Sequence, residues 1–298
     1  MVGQVLQIHG ATPYHFEIVE GVIVYYRDII GVDVSCRIFL DVIEDAMPQF
    51  KSYISRRHPH VRWGRASKHD FFIGLTVYPR DYPWIRKLDP EKNFFISHAY
   101  DRASRPPNVF YITDIAPRNV FRHCVLPFAG EMLPMTFPPL YIVQGELSGA
   151  RRDMQALRRI LSAEFSVPYR VLLLGRGLED HSLRRYPQVT VKNDLGFVDF
   201  HSEFRSAYGV LPLVTRDTHP QYYTSKLTSS VAYAKAYGLH CVLDKDLQDI
   251  YGLPNVSVYT AGKNGIVDAF RRSLSAFPSH GMRTPCTAEA RDQQVTGR

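Results

Sequence analysis

Cysteine is scarce in this chain: Cys36, Cys124, Cys241 and Cys286 are the only four in 298 residues, they stand far apart, and none forms a C-x-x-C pair. That spacing excludes a disulfide framework and argues against a zinc site. Cys36 and Cys241 adjoin apolar stretches and read as buried thiols in a reducing compartment. Long apolar runs are missing as well; nothing approaches the roughly 18 residues needed to cross a bilayer. The opening MVGQVLQIHGATPYHF lacks a basic stretch followed by an apolar core, so no signal peptide is expected. Basic residues never gather into a run of the kind that forms a nucleic-acid arm, and nucleic acid is therefore not an expected partner. Gly175-Arg176-Gly177 lacks the full G-x-G-x-x-G spacing, which argues against nicotinamide binding. These absences leave a cytoplasmic globular protein as the expectation.

What is present supports a large core. Hydrophobic residues make up 45% of the chain and aromatics 12%, and the length suits one large α/β domain or two of ordinary size. The formal charge of +7 is dispersed over pairs such as Arg56–Arg57, Arg151–Arg152 and Arg271–Arg272. Dispersed charge suits a protein that handles phosphates, and it leaves peripheral contact with an anionic membrane surface open.

Short apolar runs alternate with helical patterns, as parallel sheets built from strand–helix–strand units require. In the first half, strands are expected at Gln4–Ile8, Ser35–Val42, Phe71–Val77, Asn93–Ser97 and Val109–Ile112, with helices over Phe16–Ile30 and Gln49–Arg57. Glu131–Pro139 holds three prolines and no helical period, so a linker is placed at 131–139 between an N-terminal domain, 1–130, and a C-terminal domain, 140–277. The second half repeats the alternation: strands Leu140–Val143, Arg170–Leu174, Val189–Val191, Val210–Leu213, Leu239–Leu243 and Val256–Tyr259, and helices Arg151–Glu164, Ser202–Tyr208, one ending at Gly238, and Asn264–Ala276. The tail, 278–298, is polar and reads as disordered. The fold class expected is α/β, two Rossmann-like domains facing across a cleft, with sites at the carboxyl ends of the strands.

The most informative stretch is Gly196–Leu243, where a strand runs into a polar loop and then a helix opened by Ser225, Thr228, Ser229 and Ser230. A hydroxyl-rich helix N-terminus at a strand's carboxyl end favours anions, because its free N–H groups and its dipole both point outward. Lys226 adds a positive charge. Tyr222–Tyr223, just before the helix, either stack on a base or sugar or belong to the core.

Several segments of the second half resemble the donor-binding domain of GT-B glycosyltransferases, especially the large group 1 family. YIVQGELSGARRDMQAL is similar to its strand, glycine, loop and basic helix start: Gly145 matches the family glycine, Arg151 falls where the family has a phosphate-binding lysine, and Glu146 replaces its arginine. LLLGRG, with Gly175, resembles the family's glycine turn, and SSVAYAKAYGLHCVL its following helix and strand. The family's paired glutamates would fall on Ser225 and Tyr233, and neither is acidic. In the first half, FFISHAYD is similar to a family strand ending in a histidine, here His98, and HCVLPFAG resembles its inter-domain linker.

The resemblance implies transfer of a hexosyl or pentosyl group from a UDP- or GDP-linked sugar, the donor substrate, to a hydroxyl acceptor on a glycan, lipid or small molecule, with no further cofactor; no metal is expected either, because N–H groups and cationic side chains can stabilise the departing diphosphate in its place. The donor-binding residues it implies, together with the anion-site reading, are Gly145, Gly175, Arg151, Lys226, Thr228, Ser229 and Ser230. Candidate acid–base residues are His9, at the end of the first strand before Gly10, His15, at the start of the first helix, and His98, because imidazole titrates near neutral pH; Asp101 and Glu17 are candidates to orient them. Gly10, with Ala11 and Thr12 after it, would admit an acceptor close to the backbone. The absent glutamates leave two alternatives: a catalytically silent GT-B scaffold that binds glycan or a partner protein, and a sugar-nucleotide epimerase.

Overall fold

The structure, a computed structural model, describes residues 4–10, 15–26, 37–42, 49–101, 106–113, 115–116, 120–121, 125–260 and 265–278. Expectations for Ala11, Thr12, Cys36, Cys124, Cys286 and the tail from 279 onward fall outside these residues. The chain divides into two compact units. The first comprises residues 1–126 with 196–198 and 225–227; the second comprises 127–195, 199–224 and 228–298.

The first unit is a parallel sheet of six strands: β1 (Val5–Gly10), β2 (Arg37–Val42), β3 (Arg62–Trp63), β4 (Phe71–Val77), β5 (Asn93–Ser97) and β6 (Val109–Tyr111), in the order β3-β2-β1-β4-β5-β6. Successive residues of a strand face opposite sides, and here both sides are covered: Phe95 packs with Val77, Tyr82 and Tyr111, while Ile96 joins Ile8, Val19 and Ile54. The helices are α1 (Phe16–Val24), α2 (Phe50–Arg57) and the single turn α3 (Tyr82–Ile85).

One buried charge ties α1 to α2. Glu20 is fully buried and accepts hydrogen bonds from Tyr53 Oη at 2.8 Å, His58 Nε2 at 3.0 Å and Arg57 Nε at 2.8 Å. Glu20→Gln is expected to lower the stability of this unit by about 2 kcal/mol, because an amide makes weaker bonds and leaves a buried donor unsatisfied. Both tryptophans, Trp63 and Trp84, lie in the first unit, so a urea titration followed by their fluorescence measures this directly. An unchanged midpoint would reject the assignment.

The second unit repeats the topology with β7 (Leu140–Glu146), β8 (Arg170–Arg176), β9 (Val189–Asn193), β10 (Gly209–Val210), β11 (His240–Asp244) and β12 (Val256–Tyr259), in the order β12-β11-β10-β7-β8-β9. Counted within each unit, the order is 3-2-1-4-5-6, which places a topological switch point between the first and fourth strands: β1 and β4 in one unit, β7 and β10 in the other. The helices are α4 (Met154–Ser162), α6 (Ser229–Tyr237), α7 (Lys245–Tyr251) and α8 (Gly265–Ser275), while α5 (Phe197–Ser202) has its first two residues counted in the first unit and the rest in the second. Gly238 and Gly252 end α6 and α7 at positive φ, where a side chain would be strained.

Four expectations shift. The helix expected from Arg151 starts at Met154, because the Asp153 side chain caps it by accepting Ala156 N–H at 2.8 Å; Arg151 and Arg152 therefore lie in the preceding turn. Ser225 and Lys226 lie outside α6, whose N-cap position is Thr228. The helix expected over Ser202–Tyr208 lies earlier, at α5, and continues only as a 3₁₀ turn at Glu203–Arg205. The proline-rich passage 131–139 belongs to the second unit, held there by Leu133 N–H on the Arg205 carbonyl at 3.0 Å and Arg205 Nε on the Glu131 carbonyl at 3.1 Å.

Candidate functional site

The carboxyl end of β7 opens at the switch point of the second unit. Gln144, 3% exposed, is followed by Gly145 at φ +103°, a conformation in which a side chain would be strained. A Cβ at Gly145 would also fall 2.8 Å from Arg152 Nη2. Arg152, only 6% exposed, donates from Nη2 to the Gln144 carbonyl at 2.6 Å and from Nη1 to the Arg151 carbonyl at 3.0 Å. Its Nε has no hydrogen-bond partner and no carboxylate pairs with it among the described residues. Burial lowers its pKa; Tyr222 and Glu146 pull the other way, and Arg151 adds to the fall. A guanidinium stays protonated nonetheless, so a buried cation lies at this edge, hydrogen-bonded to backbone carbonyls and acted on by the Glu146 charge without an ion pair to it among the described residues.

Arg151, the residue expected to hold phosphate, is half exposed. Its Nε lies 3.6 Å from Glu146 Oε2, and its Nη1 donates to His219 Nε2 at 3.3 Å. The His219 ring lies flat on Tyr222, with centroids 4.6 Å apart. Tyr222 thus belongs to the site cluster, whereas Tyr223 is buried beneath Arg216 and donates to the Val214 carbonyl. The Gln144 amide donates to Ser229 Oγ and to Ser230 Oγ, each at 2.9 Å, and so pins the start of α6 to β7. Thr228 and Ser230 are buried, leaving Ser229 as the partly exposed hydroxyl of that group.

Gly175 lies opposite Gly145 in register on β8, and a Cβ there would run into the Gly145 carbonyl oxygen. It serves close backbone approach. Gly175→Ala is expected to cost about 1–3 kcal/mol, as overpacking does, and to displace the end of β7. A thermal melt indistinguishable from that of the native chain would contradict this.

The first unit's edge carries the histidines. His9 is the penultimate residue of β1, and its Nδ1 lies 2.8 Å from Asp41 Oδ2 on β2; Arg65 Nε reaches the same oxygen at 2.6 Å. Burial works against the Asp41 carboxylate but is outweighed by the bonds from Arg65 and His9, which hold its pKa below the usual value. Asp41, which the sequence reading passes over, is thus the carboxylate that contacts His9, while Glu17 lies beside His15. The Asp101 carbonyl accepts from Tyr111 Oη at 3.4 Å, and Glu17 stands 3.5 Å from His15 Nδ1.

His15, at the N-cap of α1 with φ 69°, packs its ring on that of His98, with centroids 3.3 Å apart. His98 follows β5 and is buried; burial, then the charges of His15 and Lys226, push its pKa well below the usual imidazole value. It is therefore a neutral imidazole at pH 7. Thr76 approaches His98 Nε2 at 3.4 Å from the irregularity where β4 pairs with β5, at φ 62°. A β-branched residue in that region is strained, and no local pattern in the sequence marks it. Lys226 belongs here too: it bridges Ala99 in antiparallel fashion, and the Tyr100 N–H donates to the Ser225 carbonyl at 2.8 Å. The structure thus groups Lys226 with His15 and His98 in the first unit, and Gly145, Gly175, Arg151, Ser229 and Ser230 in the second.

The metal-free expectation passes over Asp244-Lys245-Asp246, which has D-x-D spacing. Asp244 caps α7 by accepting Asp246 N–H at 3.0 Å, and Asp246 pairs with Arg216 at 2.8 Å, so both carboxylates have structural work. Among the described residues no group of three or more His, Cys, Asp or Glu is placed to hold a metal ion. Nor is any of their helices long and apolar enough to cross a membrane.

No protein-family model matches the chain, and no curated protein sequence matches it. Solved structures do. AviGT4, a glycosyltransferase involved in avilamycin A biosynthesis, aligns at TM-score 0.55 and 15% identity over 93% of this chain and 89% of its own. The apo form of the lipopolysaccharide outer core galactosyltransferase WaaB aligns at 0.54 and 12%, over 91% and 90%. HepE from Anabaena, solved with UDP and glucose, aligns at 0.54 and 10%, over 98% and 95%. Two parallel six-stranded sheets with this strand order, matched along nearly the whole length of such structures, give the chain the GT-B glycosyltransferase fold.

Proposed function

We propose that this chain is a glycosyltransferase that moves a sugar from a nucleoside-diphosphate sugar to a hydroxyl acceptor. The reading is carried by Arg152, a buried cation at the switch-point edge of the second unit with no carboxylate partner among the described residues. A cation in that position calls for an anionic ligand, and the diphosphate of a UDP- or GDP-sugar supplies one. As the anomeric bond breaks, negative charge builds on the departing diphosphate. Arg152 and Arg151, the Ser229 hydroxyl and the N–H groups that open α6 are preorganised to meet it. Charge neutralisation by side chains needs no divalent ion, so turnover is expected to persist in EDTA.

The first unit supplies the base. Asp41 holds His9 through Nδ1, which leaves Nε2 to take the acceptor hydroxyl's proton. Buried and neutral His98, with His15 and Thr76, suits hydrogen bonding better than proton abstraction. The acceptor is a glycan, a lipid or a small molecule carrying a hydroxyl group, and the proposed setting is the cytoplasm or a membrane surface facing it.

A thermal-shift panel of nucleoside diphosphates and their sugars tests the reading, since a ligand that binds only the folded chain at 100 times its Kd stabilises it by about 2.7 kcal/mol. No shift with any of them would reject it. Binding without transfer or hydrolysis would leave a silent scaffold, and conversion of the donor without acceptor would identify an epimerase.

A further inference from the structure

Glu146 places a negative charge inside a site that otherwise collects anions. Its Oε2 lies 3.6 Å from Arg151 Nε, its Oε1 lies 3.5 Å from Ser148 Oγ, and its charge also acts on Arg152 and Tyr222. Other charged and titratable groups of this edge are His219, in contact with Arg151, Arg176, opposite Glu146 in register on β8, and Glu179, whose carboxylate accepts the Gly149 N–H at 3.1 Å. Both members of the Glu146–Arg151 pair are nearly half exposed, so the bond is weak and a ligand phosphate can displace it. What remains after displacement is a carboxylate at the rim of the anion site, whose repulsion grows with each further negative charge on the ligand.

That distinction matters for one pair of ligands. A nucleoside-diphosphate sugar is esterified at both phosphates and carries a charge of about −2, whereas the freed nucleoside diphosphate ends in a phosphate monoester with a second pKa near 6 and carries about −3 at pH 7.5. We propose that Glu146 is a specificity-determining residue that discriminates against the extra charge of the nucleoside-diphosphate product, favouring the sugar-bearing donor and speeding product release. This rests on the reading of the second unit as a nucleotide-sugar site.

Isothermal titration of the full chain with UDP and UDP-glucose, and with GDP and GDP-mannose, tests the proposal in native protein and in Glu146→Gln. At pH 7.5 the substitution is expected to tighten the diphosphate about threefold to tenfold more than the matching sugar nucleotide, as one screened unit charge would. Near pH 5, where the terminal phosphate carries about one charge less, the difference is expected to vanish. Equal tightening of both ligands, no tightening, or a difference that persists at low pH would overturn the proposal while leaving the nucleotide site standing. If native protein binds none of the four ligands, the site reading falls and the proposal with it. Thermal melts show whether Glu146→Gln is folded, and the pH dependence of the native diphosphate-to-sugar-nucleotide ratio provides a readout that needs no variant.

Discussion

Replacing Arg152 by methionine is expected to weaken UDP and GDP binding about 100- to 1000-fold while the melting temperature holds or rises. The loss follows from the proposed role: a guanidinium held by the Gln144 and Arg151 carbonyls is fixed in place beside the proposed diphosphate site. Two charge-assisted hydrogen bonds together contribute about 3–4 kcal/mol, which corresponds to that factor. The stability half follows from burial. A cation that is 6% exposed and lacks a carboxylate partner is costly to the empty fold, and an apolar side chain of similar length removes that cost. Titration calorimetry and a thermal melt on the same sample measure both. A variant that melts lower and binds as before would mean that Arg152 is structural and that the anion site lies elsewhere.

His9→Ala is the second large effect: kcat is expected to fall about 10²- to 10⁴-fold with little change in donor affinity, the usual magnitude for loss of a positioned base. Asp41→Asn is expected to give a smaller fall, because the amide still reaches Nδ1 but no longer favours a proton on it. The pH dependence has a definite sign. Asp41's pKa is depressed in the folded state, so the stabilisation from its contacts with His9 and Arg65 is present above the ordinary carboxylate pKa and disappears as pH falls through the lowered one. Steady-state kinetics with the donor identified by the thermal-shift panel test this. His98→Gln is the control, expected to have a weaker effect because a buried neutral imidazole is a poor base. A larger loss from His98→Gln than from His9→Ala would reverse the assignment.

Local sequence determined the two sheets, because parallel strands buried on both faces are written as near-continuous apolar runs, such as Phe71–Leu75 and Val171–Leu174, with helices between them. It also marked the two sheet edges proposed as functional, since His9 and Gly145 fall at the carboxyl ends of strands, where ligands of such sheets bind. Tertiary structure decided which residues gather there. Arg151 and Arg152 are adjacent and chemically alike, and only the Asp153 cap and the bend at Gly145 turn one outward and bury the other. His9 meets Asp41 across 32 residues through strand register, Lys226 joins the first unit through a bridge to Ala99, and Ser230 is buried under the Gln144 amide. Periodicity and capping act over a few neighbouring residues, whereas pairing, burial and charge balance depend on strand order, and strand order emerges only when the sheets assemble.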